Sequence, residues 1–429
     1  MARMLIIADD LSGAADCAVA CIGHGLRATV VLGDADGDAH AHVLAVDADT
    51  RRRATQEAAA EVARLLKKHG GDSQLLYKKI DSTLRGPIAA ELAAALETLR
   101  LLHGGKERVV AVLAPAFPGT GRTTIDGRQL LHGNPLEETS IAKTGEMAVN
   151  SDIASLLREA HLRPELIALA LVRGDRENLH STMKARALNA DVLVCDAETD
   201  EDLRAIAEAS MILGRGTIWA GSAGLARFLP RAAGLVGDPF PLRIQATAAH
   251  PALYVVGSGS PSSREQAEKL AAESDTMAIR VRPSILLAGT DSAAWREYES
   301  ELGAALKHGK DVVVLLEAGD ELDRRIGVQL TTALGELVRP FSESVGALVS
   351  TGGETARAIF DAWGIQRLQV AGEVETGLPF SITSGWHREL PVLTKAGAFG
   401  DAQTFLRCRE FLNELGRELP RTTDQSKGR

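Results

Sequence analysis

Short apolar runs that stop abruptly at a polar or glycine-rich turn, then pass into an amphipathic stretch, recur along nearly the whole chain. That alternation constrains the fold more than any other feature, because strands joined through helices lie parallel in one sheet with the helices on its faces. In the first case Met4-Leu5-Ile6-Ile7-Ala8 runs into Asp9 and Asp10, then through Leu11-Ser12-Gly13 into a helix of small residues. Strands are expected near 4–8, 28–32, 43–46, 75–80, 108–114, 167–172, 191–195 and 216–220, with helices such as 54–68 and 87–100 between them. Near 234–251 the pattern breaks into a cluster of Gly234, Gly237, Asp238, Pro239, Pro241 and Pro251, which reads as a linker. Further strands are expected near 253–256, 277–282, 311–316, 346–350 and 392–395. The predicted architecture is α/β with two domains, each a mostly parallel sheet flanked by helices, and a ligand cleft between them. Their predicted bounds are 1–235 and 251–416, with a hinge over 236–250 and a polar tail over 417–429.

Composition narrows the function classes. A chain of 429 residues exceeds what one core supports, which agrees with two domains. The net charge of −9 argues against non-specific binding to nucleic acid or anionic membrane, and 4% aromatic content leaves few stacking platforms for single strands. No apolar stretch reaches the roughly 18 residues of a membrane span and the N-terminus has no long apolar h-region, so a cytoplasmic location is expected. Cys17, Cys21, Cys195 and Cys408 form no C-x-x-C pattern; Cys17 and Cys21, one helical turn apart, read as packing. His40 and His42 have no third ligand nearby in sequence, so no structural metal site is expected.

The polar turns carry the chemistry. Asp9 and Asp10 lie just beyond a strand's carboxyl end, where ligands bind in open α/β sheets; equally, Asp10 or Ser12 could cap the following helix. The turn Asp81-Ser82-Thr83-Leu84-Arg85-Gly86, entered through Lys78 and Lys79, concentrates hydroxyls, a fork-shaped guanidinium and an ammonium, equipment for a small anion. A third turn places Asp47, Asp49, Thr50 and Arg51 after a strand, with Arg52 and Arg53 expected to face water. Residues 114–136 read as one long functional loop. Further on, Gly257-Ser258-Gly259-Ser260, Thr351-Gly352-Gly353-Glu354-Thr355 and Ala396-Gly397-Ala398-Phe399-Gly400 all follow strands, and such turns offer backbone N–H groups to phosphate. The dinucleotide fingerprint is incomplete at Ser262, and Arg280-Val281-Arg282 stands where a ribose-binding acid would be expected. No P-loop motif occurs.

In joint order, IADDLSGAAD at 7–16, DSTLRG at 81–86, PAFPGTGRTTIDG at 115–127, GSAGLA at 221–226, GSGSPSSREQ at 257–266, TGGETA at 351–356, GEVETGLP at 372–379 and TKAGAFG at 394–400 resemble the four-carbon acid sugar kinase family. The resemblance implies an acid-sugar-binding first domain, a nucleotide-binding second domain, and ATP-dependent phosphorylation of the terminal hydroxyl of a four-carbon sugar acid. The KKIDSTLRG stretch points to D-threonate; 3-oxo-tetronate, D-erythronate and L-threonate are alternative acceptors. An NAD-dependent dehydrogenase and a non-catalytic metabolite sensor are the readings from other classes. Pro87 stands where the family commonly has asparagine, and Ser12 where threonine is commoner. The resemblance implies that Asp9, Asp10, Arg51, Ser82, Thr83, Leu84 and Arg85 hold the acid, and Lys79, read from its place at the strand end, is expected to add charge beside them. Ser258, Gly352, Gly353, Glu354, Thr355, Gly397 and Gly400 would hold ATP, with Mg²⁺ neutralising its charge. The catalytic base is expected among Asp9, Asp10 and Asp81, with Asp401 a lesser candidate. The implied partners are thus a sugar acid and ATP, with neither nucleic acid nor membrane, and with room for a homodimer.

Overall fold

The computed structural model describes residues 3–38, 40–71, 73–105, 107–139, 150–238, 244, 246, 248–317, 326–397 and 399–418. The chain divides into two compact units, Met1–Phe240 and Pro241–Arg429. Part of the predicted linker, residues 239–243, 245 and 247, lies outside the described residues, as does the predicted tail beyond Glu418.

The first unit contains β1 (Met4–Ala8), β2 (Ala28–Leu32), β3 (Val43–Asp47), β4 (Leu75–Lys79), β5 (Val110–Ala114), β6 (Arg122–Ile125), β7 (Arg128–Leu131), β8 (Asn134–Pro135), β9 (Pro164–Ile167), β10 (Val192–Cys195) and β11 (Thr217–Gly221). Eight of these form a parallel sheet in the order β2-β3-β1-β4-β11-β5-β10-β9. Strands covered on both faces read as unbroken apolar runs, and β1, β2 and β3 are buried at every position. Helices α1 (Leu11–Ile22), α2 (Thr55–His69) and α3 (Ile88–Leu102) follow β1, β3 and β4. Leu5, Val46, Val62, Leu66, Leu92 and Leu96 join sheet and helices in one core. Because β2 and β3 lie to one side of β1 and the later strands to the other, the strand order reverses at the β1/β4 boundary, where doubly wound sheets bind ligands.

Two expectations need correction here. The apolar run 167–172 is not one strand: β9 ends at Ile167 and Leu169–Val172 turns into a short helix, with the Leu169 N–H captured by the buried Asp196 carboxylate at 3.2 Å. The same carboxylate accepts from the N–H groups of Asp126 and Gly127. Residues 114–136 are not a continuous loop either, since β6, β7 and β8 form a small antiparallel sheet within them.

The second unit contains β12 (Ala252–Val256), β13 (Thr276–Val281), β14 (Asp311–Leu316), β15 (Ala347–Thr351), β16 (Arg367–Glu375), β17 (Leu378–Thr383) and β18 (Pro391–Lys395). Their order is β13-β14-β12-β15-β18-β17-β16; the first five are parallel and β17 and β16 run antiparallel. The hairpin β16–β17 was not anticipated, and Gly377 takes the left-handed conformation at its turn, φ 79°. Tyr254, Val256, Leu270, Leu393 and Phe405 lie in its core. Among the described residues no helix is long and apolar enough to cross a membrane. All four cysteines are free and buried, and Cys17 and Cys21 pack as expected from their spacing.

Candidate active site

Parallel pairing places Ala8 of β1 level with Asp47 of β3 and Lys79 of β4, so the next residues of all three strands leave the sheet together. The N–H groups of Thr50 and Arg51 donate to the Asp9 carbonyl at 3.0 and 3.2 Å, which pins the turn after β3 against the end of β1. Arg51 thereby reaches three carboxylates. Its Nε donates to Asp9 Oδ2 at 2.6 Å and its Nη1 to Asp10 Oδ2 at 2.5 Å. Its Nη2 stands 3.9 Å from Asp81 Oδ1. Asp10 Oδ1 meanwhile accepts from the Gly13 N–H at 2.8 Å and caps α1. Capping of α1 and contact with Arg51 thus coexist in this one side chain. The Ser12 hydroxyl is buried and has no hydrogen-bond partner among the described residues.

Successive side chains of a strand point to opposite faces, and this separates the two lysines of β4. Lys78 is buried against α3, 3.0 Å from Glu91 Oε2. Lys79 donates to the Ile80 carbonyl at 2.8 Å and stands 4.0 Å from Asp9 Oδ1. A Cβ at position 13 would lie 2.7 Å from Lys79 Nζ, so glycine there makes room for the ammonium. Beyond β4, Leu84 adopts φ 57° and Gly86 φ 99°, closing a tight turn. Within it Asp81 accepts from Arg85 Nε at 2.7 Å and Nη2 at 3.0 Å, and from the Thr83 hydroxyl. Leu84 is buried and shapes the turn through its backbone. The Ser82 carbonyl accepts from Gln129 Nε2 at 2.8 Å, which ties the turn to β7.

These contacts favour the charged forms of Asp9, Asp81, Arg51 and Lys79. Burial pushes the Asp9 carboxyl up, yet the charges of Arg51, Lys79 and Lys78 outweigh it and leave the group below its usual value. Burial works on Asp81 in the same sense, and Arg85 and Arg51 hold it well below the carboxylate range. For Arg51 and Lys79 burial disfavours the charge, but neighbouring carboxylates, Asp10 and Asp9 foremost, raise both. Asp9, Asp10 and Asp81 therefore face Arg51, Lys79 and Arg85, and the charge of Arg122 also bears on Asp81. Asp9 Oδ1, buried, accepts no hydrogen bond from the described residues.

In the second unit the three glycine turns follow adjacent strands β12, β15 and β18. Ser258 lies in the turn after β12, and the helix after it starts at Pro261, earlier than the expected start near Arg264. Gly352 takes φ 88° at the start of the helix Gly353–Trp363, in whose first turn Glu354 and the buried Thr355 lie. The fit around these glycines is close: a Cβ at Gly257 would lie 2.3 Å from Thr355 Oγ1, and one at Gly397 would lie 2.2 Å from Ser258 Oγ. Gly400 has φ 78°. Asp401 lies in this unit and is tied to Arg407 at 2.9 Å. The hydroxyls of Ser350 and Thr351, buried at the end of β15, find no hydrogen-bond partner among the described residues.

Sequence reasoning missed Glu91, Gln129 and Lys395. Only Lys395 carried a signal, as the cation closing a strand ahead of a glycine turn. Among the described residues no group of three or more His, Cys, Asp or Glu side chains is arranged to hold a metal ion.

Residues 4–229 match a sugar-binding N-terminal domain family and residues 253–405 a nucleotide-binding C-terminal domain family. The chain is 40% identical over 420 residues to a D-threonate kinase of Cupriavidus necator, covering 96% of this chain and 98% of that protein. It is 34% identical over 426 residues to a D-threonate kinase of Bordetella bronchiseptica, covering 95% and 97%. Its fold is similar to a crystal structure from Salmonella typhimurium LT2, with TM-score 0.77 at 20% identity over 96% of this chain and 100% of that one. On these matches, which span both units, the chain belongs to the four-carbon acid sugar kinase family.

Proposed function

We propose that this protein is an ATP-dependent kinase that phosphorylates the terminal hydroxyl of a four-carbon sugar acid, with D-threonate as its acceptor. The observation that carries the reading is the charged cluster of Asp9, Asp10 and Asp81 with Arg51, Lys79 and Arg85 at the β1/β4 switch point. A sugar acid presents one carboxylate and several hydroxyls. Its carboxylate competes for Arg85 and Lys79, and its hydroxyls donate to aspartate oxygens, so binding exchanges internal pairs for pairs of the same kind.

Phosphoryl transfer passes through a loose transition state in which positioning and electrostatics dominate. A carboxylate held below its usual proton affinity suits that chemistry as an orienting acceptor. We assign this role to Asp9, whose Oδ1 is free to accept the terminal hydroxyl, with Asp10 and Asp81 fixing the hydroxyls nearer the carboxylate. In the second unit, the N–H groups around Gly352, Gly353, Gly397 and Gly400 suit phosphate oxygens, with Ser258, Glu354 and Thr355 beside them. When bound together with the triphosphate, Mg²⁺ would supply neutralisation of the charge on the transferring group.

A coupled ADP-release screen over D-threonate, L-threonate, D-erythronate and 3-oxo-tetronate tests the reading. D-threonate should give the highest kcat/KM. No ADP release with any of the four, together with a thermal shift by NAD and none by ATP, would replace the kinase with the dehydrogenase reading.

A further inference from the structure

Lys395 is almost completely buried at the end of β18, at 1% exposure, although it is a lysine directly before a glycine turn. Its ammonium donates to the carbonyls of Ala396 at 3.1 Å, Gly397 at 3.1 Å and Phe399 at 2.9 Å, and lies 3.2 Å from Ser263 Oγ. One cation thus gathers three carbonyls of a single turn. The helix Pro261–Ala271 holds the same side of the turn: Ser263 Oγ donates to the Gly397 carbonyl at 2.6 Å, and Gln266 Nε2 to those of Phe399 at 3.1 Å and Asp401 at 2.8 Å.

A planar trans peptide points its C=O and the following N–H in opposite directions. Drawing the Ala396 carbonyl onto the ammonium therefore turns the Gly397 N–H away from it, and drawing in the Phe399 carbonyl does the same for Gly400. Neither N–H finds an acceptor among the described residues. Two outward N–H groups near the two ends of one turn offer an anion two donors, and glycine permits the φ of 78° at Gly400.

We infer that Lys395 is a positioning residue for nucleotide binding: its buried ammonium acts as a fixed internal cation that orders the 396–400 turn so that Gly397 and Gly400 present their N–H groups to a phosphate of ATP. It touches the turn's carbonyls, and the turn's amides touch the nucleotide. The inference rests on the assignment of this turn to ATP under the proposed function.

Lys395→Met keeps the chain's length and apolar stem while removing the donor, and should raise KM for ATP tenfold or more with KM for the sugar acid unchanged. Lys395→Ala should show the same split, with n-propylammonium restoring the ATP affinity and sodium chloride at equal ionic strength failing to restore it. Gly397→Ala, whose methyl would meet Ser258, reads the turn without touching the lysine and should also raise KM for ATP. If Gly397→Ala weakens ATP while folded Lys395→Met binds it as the wild type does, or if Lys395→Ala shows no rescue, the role of Lys395 is wrong and the turn's assignment stands. If neither Gly397→Ala nor Lys395→Met alters KM for ATP, the turn does not hold the nucleotide and the inference falls with that assignment.

Discussion

Both units start from one plan and furnish it differently. The order β2-β3-β1-β4 of the first recurs as β13-β14-β12-β15 in the second, so each reverses its strand order beside its own first strand. At that boundary β4 ends in the buried pair Lys78-Lys79, while β15 ends in the buried pair Ser350-Thr351. Beyond the first strands, Asp9-Asp10 in one unit corresponds to Gly257-Ser258 in the other. Under the proposed function, the first unit builds its site from opposed side-chain charges. The second offers glycine turns and, among its described residues, places its one buried lysine on the next strand, at Lys395, against carbonyls. A shared topology fixes where a ligand sits; the residues at the strand ends decide whether it is met by side chains or by the main chain.

Breaking the charged edge should therefore cost both stability and turnover. The largest effect is expected beneath the site: Lys78→Met strands Glu91 as a buried carboxylate that burial already pushes above its usual proton affinity. Loss of one partner of such a pair costs about 3–5 kcal/mol, and chemical denaturation should show that loss, with partial recovery in the double variant Lys78→Met, Glu91→Leu. Unchanged stability in Lys78→Met would show that the pair does not anchor α3 to β4.

At the ligand-facing edge the effect should fall on turnover. Asp9→Asn should remain folded and lose kcat by roughly two orders of magnitude or more, with KM for ATP unchanged, the scale expected of a group that orients or deprotonates the acceptor. Asp10→Asn separates the two duties of that residue, because asparagine caps a helix about as well as aspartate but cannot neutralise Arg51. A large fall in kcat with an unchanged Tm is the expected result, and wild-type kcat in both variants would return the pair to a structural role.

The smallest effect concerns acid. The Asp81 carboxyl lies well below the usual value of 3.8 because, against burial, Arg85 and Arg51 favour its charged form. A carboxyl lowered by folding adds stability that is fully present above the unfolded value and is lost as pH falls through the folded one. Asp81→Asn should consequently flatten the dependence of Tm on pH below about 4 relative to wild type, as the linkage requires. Parallel curves for the two proteins would remove Asp81 from the acid transition.

The sequence exposed those parts of this picture that depend on local pattern. Apolar runs marked the strands of both parallel sheets, and acids, hydroxyls and arginines crowded at strand ends marked Asp9, Asp10, Arg51 and the Asp81–Arg85 turn. What stayed hidden depends on partners distant in the chain. Glu91 reads as an ordinary acid in the first turn of a helix until Lys78 is seen beneath it. Lys395 reads as a charged strand end until the carbonyls close around it. The half-exposed β16 lacks a continuous apolar run, and the 167–172 run was divided by Asp196, a residue from another strand end. Arg85 was expected to fork onto a ligand carboxylate, and here it forks onto Asp81.

The central claim is that side chains of the first unit receive the acid and backbone of the second receives the nucleotide. Amide hydrogen exchange mapped with D-threonate alone and with ADP and Mg²⁺ alone tests it most directly. D-threonate should slow exchange at residues 49–51 and 81–86 and leave 352–355 and 397–400 as in the free protein, while ADP should do the reverse. Protection of 81–86 by ADP, or of 397–400 by D-threonate, would contradict the assignment.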